Sequence, residues 1–134
     1  LIFDTSTILQ VLKDEGFVSK LEEMGVAEIA VTSITAYELL RGAAYLARRG
    51  SERELRVIIR MLSELPVVPF TYEDARIASL LWSKLREKGA LVNDADILIA
   101  SISLRLGEVL VSLDEDFQRI REVEPDLELV MLRP

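Results

Sequence analysis

A chain of 134 residues, 50% hydrophobic and 29% charged, has the size and polarity of one folded domain. It contains no histidine and no cysteine, which excludes Ser–His–Asp and Cys–His nucleophilic sites and any zinc, iron or copper site built on imidazole or thiolate. A formal charge of −7 opposes nucleic-acid binding through bulk charge, unless bound cations cancel a local cluster of carboxylates. Chemistry must therefore fall to Asp, Glu, Lys, Arg, Ser, Thr or Tyr, or to a hard metal held by oxygen. No apolar stretch is long and uncharged enough for a membrane span. With no secretory pattern and no cysteine, the expected compartment is the cytoplasm.

Leu1-Ile2-Phe3 reads as a short buried strand ending at Asp4. Thr5-Ser6-Thr7 offers helix-capping hydroxyls, and Ile8, Leu9 and Leu12 follow at helical spacing. Gly16 breaks that pattern, and a second helix is expected over 17–24, stopped by Gly25. Ile29-Ala30-Val31 is the next strand. Helices follow over 35–49 and 51–65, with Pro66-Val67-Val68-Pro69 as an extended piece. Thr71 caps an amphipathic helix with Ala75, Ala78, Leu81, Trp82 and Leu85 inward, closed by Gly89. An apolar helix spans 94–106, a strand 109–113, a helical turn 116–120 and a last strand 127–132. Strands alternating with helices predict an α/β layer with a mainly parallel sheet and helices on both faces.

In such sheets ligands bind beyond the carboxyl ends of the strands. Asp4 and Asp114 each end a strand there. Glu38 lies in the first turn of the helix after the second strand, and Asp94 and Asp96 open the apolar helix. Each has an ordinary structural reading. Thr35-x-x-Glu38 fits a capping box, as do Ser51-x-x-Glu54 and, with Asp, Thr71-x-x-Asp74. Asn93 or Asp94 could cap its helix, and Asp114 could open a turn. Taken together, converging carboxylates repel one another, and a cation relieves that cost. Residues i and i+2 of a helix lie about 200° apart, so Asp94 and Asp96 cannot both face one point. Asp96 shares its face with Ile99, Ala100, Ser103 and Gly107 and is the inner candidate. Asp94 and Asp116 are the outer ones.

These segments, in order, resemble the PIN-domain nucleases, particularly the VapC-type toxins. The motifs are Ile2-Phe3-Asp4-Thr5-Ser6, Thr35-Ala36-Tyr37-Glu38-Leu39-Leu40-Arg41-Gly42, Asn93-Asp94-Ala95-Asp96-Ile97-Leu98-Ile99-Ala100 and Leu110-Val111-Ser112-Leu113-Asp114-Glu115-Asp116-Phe117. Ser112 stands where the family commonly has Thr, and keeps the hydroxyl. The resemblance implies a single PIN-like domain over 1–134: three layers, α/β/α, around a mainly parallel sheet of about four to five strands, with an inserted helical pair. It implies an endoribonuclease that hydrolyses RNA with Mg²⁺ or Mn²⁺ held by Asp4, Glu38, Asp96 and Asp114. Ser6 and Ser112 are expected to orient carboxylates, and Arg41, Asp94 and Asp116 to support the site or meet substrate. The expected partners are RNA, a second copy of the chain and an antitoxin protein, the proteins meeting the helical pair over 35–65. The alternatives are a housekeeping RNA-processing nuclease and a catalytically silent Mg²⁺-binding module. A receiver-type domain needs a Lys after its last strand, and no Lys follows Lys88. Arg53, Arg56 and Arg60 fit a solvated helix face, and Tyr37 and Trp82 a core or interface position.

Overall fold

The computed structural model describes residues 1–133. In chain order the elements are β1 (Ile2–Phe3), α1 (Thr5–Lys13), α2 (Glu15–Glu23), β2 (Val31–Thr32), α3 (Ser33–Arg48) and α4 (Arg53–Glu64), followed by β3 (Val67–Val68), α5 (Tyr72–Glu87), α6 (Asp94–Leu106), β4 (Leu110–Ser112), α7 (Asp116–Val123) and β5 (Leu129–Met131).

β1 pairs with β4, β4 with β5 and β2 with β3, all in parallel. A parallel bridge from Ile2 to Ala30 joins the two groups. The strand order is therefore β3-β2-β1-β4-β5. Alternate residues of a strand face opposite sides, and that alternation divides the core. Ile2 and Leu110 pack with α5, α6 and α7 through Leu81, Ile99 and Phe117. Phe3 and Val111 pack the other way with Ile8, Phe17, Leu39 and Ile58 of α1 to α4. Helices thus cover both faces, which gives the expected three layers. The strands are shorter than the apolar runs because apolarity marks burial and not pairing: Leu127 is buried before β5 begins.

Several local expectations are corrected. Asp4 itself caps α1, accepting from Thr7 N. Gly16 lies in the first turn of α2, since Asp14 restarts the helix by accepting from Gly16 N at 2.9 Å. Thr32 caps α3 by accepting from Thr35 N at 3.1 Å, so Thr35 and Glu38 form no capping box. Ser51 donates to Glu54 at 2.6 Å, but α4 has no side-chain cap. On α5 the buried face is Asp74, Ala78, Leu81 and Leu85, whereas Ala75 is exposed and Trp82 is 48% exposed. Apolarity alone does not place Trp82 in the core. Its indole lies against the Arg86 guanidinium instead, 5.2 Å from centroid to Cζ.

The Thr71–Asp74 capping box is present as expected, and it does more than cap. Asp74 is fully buried and takes two hydrogen bonds from Arg105, at 2.6 and 3.1 Å, while Arg105 also reaches the Pro69 carbonyl. Burial raises the Asp74 pKa, but hydrogen bonds from Arg105 and Thr71 outweigh it and the net shift is downward. The pair ties the start of α5 to the end of α6 and so fixes how α6 lies against the sheet.

Candidate active site

β1 and β4 are adjacent and parallel, so the residues that follow them leave the sheet at the same edge. Asp4 follows β1 at 2% exposure. A carboxylate that deep needs donors, and the local sequence supplies them. Thr7 N and Thr7 Oγ1 donate to its Oδ1 at 3.0 and 2.7 Å. Ser6 Oγ donates at 2.8 Å and Ser112 Oγ at 2.7 Å to its Oδ2. Both serines also accept: Ser6 from Leu113 N at 3.1 Å, Ser112 from Asp114 N at 2.8 Å. The two hydroxyls therefore fasten β1 to the turn after β4 and set where Asp114 starts.

Asp114 Oδ1 accepts from Asp116 N at 2.9 Å, a turn that opens α7 and brings Asp116 beside Asp114. Arg119 forms an ion pair with Asp116. On α3, Glu38 Oε1 accepts from Thr5 Oγ1 at 2.6 Å, and its Oε2 lies 3.7 Å from Arg41. At the start of α6, Asn93 is the cap, accepting from Ala95 N at 3.1 Å. That leaves both following aspartates free of a capping role. Asp94 is exposed and Asp96 half-buried.

One carboxylate oxygen each from Asp96, Asp114 and Asp116 lies within 4.8 Å of the other two. Asp4 and Glu38 stand outside this group, and Asp94 does too. The charges of Asp4 and Glu38 nevertheless reach Asp96. The Asp96 pKa is pushed up to about 7, first by burial and then by the charges of Asp114, Asp4, Asp116 and Glu38. An all-oxygen set with unrelieved mutual repulsion suits a hard divalent cation. Of the sequence candidates, Asp116 joins the tightest group although it was an outer one. Thr5 and Thr7 were read only as capping hydroxyls. The signal that marked them was the run of three hydroxyl residues behind a strand-ending Asp.

A family model described as PIN domain matches residues 1–123. The chain belongs to the PIN-domain family. Among curated proteins, this PIN domain is 27% identical over 124 residues to a protein of Methanocaldococcus jannaschii named Ribonuclease VapC1, covering 91% of this chain and 82% of the relative. It is 30% identical over 101 residues to Ribonuclease VapC3 of the same organism, covering 75% of this chain and 95% of the relative. Among solved structures, it is similar to VapBC2 of Rickettsia felis bound to a promoter DNA fragment, with a TM-score of 0.80, 23% identity and 98% of each chain covered. It is also similar to DNA-bound VapBC of Salmonella typhimurium, with a TM-score of 0.78, 26% identity, and 97% and 96% of the chains covered. The α/β/α architecture with parallel strands is thus the PIN fold.

Proposed function

We propose that this PIN domain, acting as a single unit over residues 1–134, is a metal-dependent endoribonuclease and the toxin of a toxin–antitoxin pair. The observation that carries the reading is the convergence of Asp96, Asp114 and Asp116, where burial first and then the charges of Asp114, Asp4, Asp116 and Glu38 push the Asp96 pKa up to about 7. The relatives named Ribonuclease VapC support the reaction class.

Asp4, Asp96, Asp114 and Glu38 would hold Mg²⁺ or Mn²⁺, with Asp116 able to replace or join one of them. A bound divalent cation supplies Lewis-acid stabilisation of the phosphodiester undergoing hydrolysis and lowers the pKa of water. The chain's own residues position the parts. Ser6 and Ser112 hold Asp4 and the start of the Asp114 turn at fixed distances. Thr5 holds one oxygen of Glu38. Arg41, beside Glu38 and exposed, would meet a substrate phosphate. At neutral pH Asp96 is divided between its two protonation states, so a cation and a proton compete for it.

The antitoxin reading rests on a groove of about 550 Å³ between α1, α3 and α4, lined by Leu9, Leu12, Leu46, Val57 and Ile58, with Glu38, Arg53 and Glu54 also in its wall. An amphipathic segment carrying a Lys or Arg fits an apolar trough with Glu38 and Glu54 in its wall. A second copy is the other occupant for this helical pair, and light scattering with and without an antitoxin peptide separates the two. The reaction is tested by RNA cleavage with and without Mn²⁺, comparing wild type with Asp96→Asn. Cleavage that persists in a chelator, or in the variant, overturns the proposal.

A further inference from the structure

In a chain of net charge −7, α3 and its cap are an exception. From Ser33 to Arg49 the only carboxylate is Glu38, against Arg41, Arg48 and Arg49. On neighbouring α4 two of the three arginines have carboxylate partners, Arg56 with Glu52 and Arg60 with Glu64. Among the described residues no carboxylate pairs with Arg48 or Arg49, and Arg41 pairs only with Glu38 of the site. Two aromatic rings stand among these charges. Tyr37 is 60% exposed and Tyr45 61% exposed. The Arg41 guanidinium lies 5.3 Å from the Tyr37 ring centre, and that of Arg49 lies 5.9 Å from Tyr45.

Positions 37, 41 and 45 follow one another at i+4 spacing, each step turning about 40° around the helix, and Arg49 continues the series as the residue that ends α3. At about 1.5 Å rise per residue, positions 37 and 45 are separated by about 12 Å along the helix axis. The apolar groove takes Glu38, Leu39, Gly42, Ala43 and Leu46 from α3, and Tyr37 and Arg41 lie on the flank of Glu38 away from it. Tyr45 stands at the boundary between the stripe and the groove, about 20° around the helix from Glu38 and two turns along it.

We infer that Tyr37–Arg41 and Tyr45–Arg49 form a track for single-stranded RNA leading into the acidic site, a claim that rests on the ribonuclease reading above. An exposed tyrosine offers a flat face to any base, so stacking there is sequence-tolerant. The arginine beside it keeps donors free for the adjoining phosphate. A polyanion approaching five carboxylates needs a cationic path, and this is the helix that provides one next to Glu38. A second copy fits the stripe less well, because two-fold packing of this face on itself would bring two arginine-rich patches together with Glu38 as the one carboxylate in each.

The test uses Tyr45 and Arg49, which lie outside the site, and two single-stranded RNAs: one of about 12 nucleotides, able to reach both rings, and a dinucleotide that fills the site alone. With Mn²⁺ present, Tyr45→Ala should raise KM for the long RNA about tenfold and leave kcat unchanged, whereas Tyr45→Phe should stay within about twofold. Neither variant should alter KM for the dinucleotide. Arg49→Ala should reduce the slope of log affinity against log salt by about 0.7. A Tyr45→Ala/Arg49→Ala double variant that folds by circular dichroism and keeps the wild-type KM on long RNA overturns the track. Loss of a dimer in that variant with KM unchanged also overturns it, and assigns the stripe to a second copy. If wild type neither binds nor cleaves either RNA, the ribonuclease reading falls and the track falls with it. Cleavage with unaltered variants removes the track alone.

Discussion

Replacing Asp96 with Asn should stabilise the metal-free protein, and more so as the pH rises. In the folded chain the Asp96 pKa is about 7, against an ordinary value of 3.8, chiefly through burial and then through Asp114, Asp4, Asp116 and Glu38. The folded state therefore holds the proton more tightly than the unfolded chain does. The group's contribution is fully favourable below pH 3.8 and is lost as pH rises through about 7. About three pKa units correspond to a ceiling of about 4 kcal/mol, and because Asp96 is only half-buried, solvent screening reduces this to about 1–2 kcal/mol. Between about pH 5 and about pH 8 the gap between Asp96→Asn and wild type should widen by about 1 kcal/mol, a few degrees in melting temperature for this size of domain. The assay is thermal melting of both proteins in a chelator across that range. Millimolar Mn²⁺ should reverse the order, since only wild type keeps the full ligand set. A gap that stays flat across the range would refute the reasoning.

Wild type should gain about 1.4 kcal/mol of stability at a Mn²⁺ concentration about tenfold above its dissociation constant, read as a rise in melting temperature. Asp4→Asn should abolish RNA cleavage and also cost about 1–3 kcal/mol, because an amide NH₂ would face the hydroxyls of Ser6, Thr7 or Ser112; a denaturant titration reads the cost and a cleavage assay the loss. Asp94→Asn should reduce cleavage far less than Asp96→Asn, since Asp94 is exposed and outside the carboxylate group; the reverse order in kcat would show that the inner aspartate was wrongly chosen. Arg105→Ala should lower stability by about 3 kcal/mol, because it leaves Asp74 buried without its cation, while specific activity of the folded fraction persists well below the melting temperature.

The alternation of strands and helices was legible because each apolar run is bounded by a capping residue or a glycine. Asp4 and Asp114 were legible as rim residues because a carboxylate directly after a buried parallel strand has one natural direction to point. Helix caps were less legible, since Thr32, Ser33 and Thr35 all offer hydroxyls within one turn, and only the backbone geometry selects Thr32. Choosing Thr35 hid the fact that Glu38 is held by Thr5 from a different segment. The Asp74–Arg105 pair joins residues 31 positions apart, and no local pattern announces such a contact. The position of Asp116 likewise depends on a turn closed by the Asp114 side chain. Trp82 looked like core by chemistry, but its place on α5 is set by which neighbours the sheet already provides.

The central claim is that the carboxylates around Asp96 bind a divalent cation and cut RNA. The most direct measurement is cleavage of a single-stranded RNA by the purified chain in Mn²⁺, in a chelator, and by Asp96→Asn in Mn²⁺. Cleavage in the first condition alone, with Asp96→Asn folded and at least as heat-stable as wild type in the chelator, is the predicted result. Equal cleavage in all three, or none in any, would contradict it.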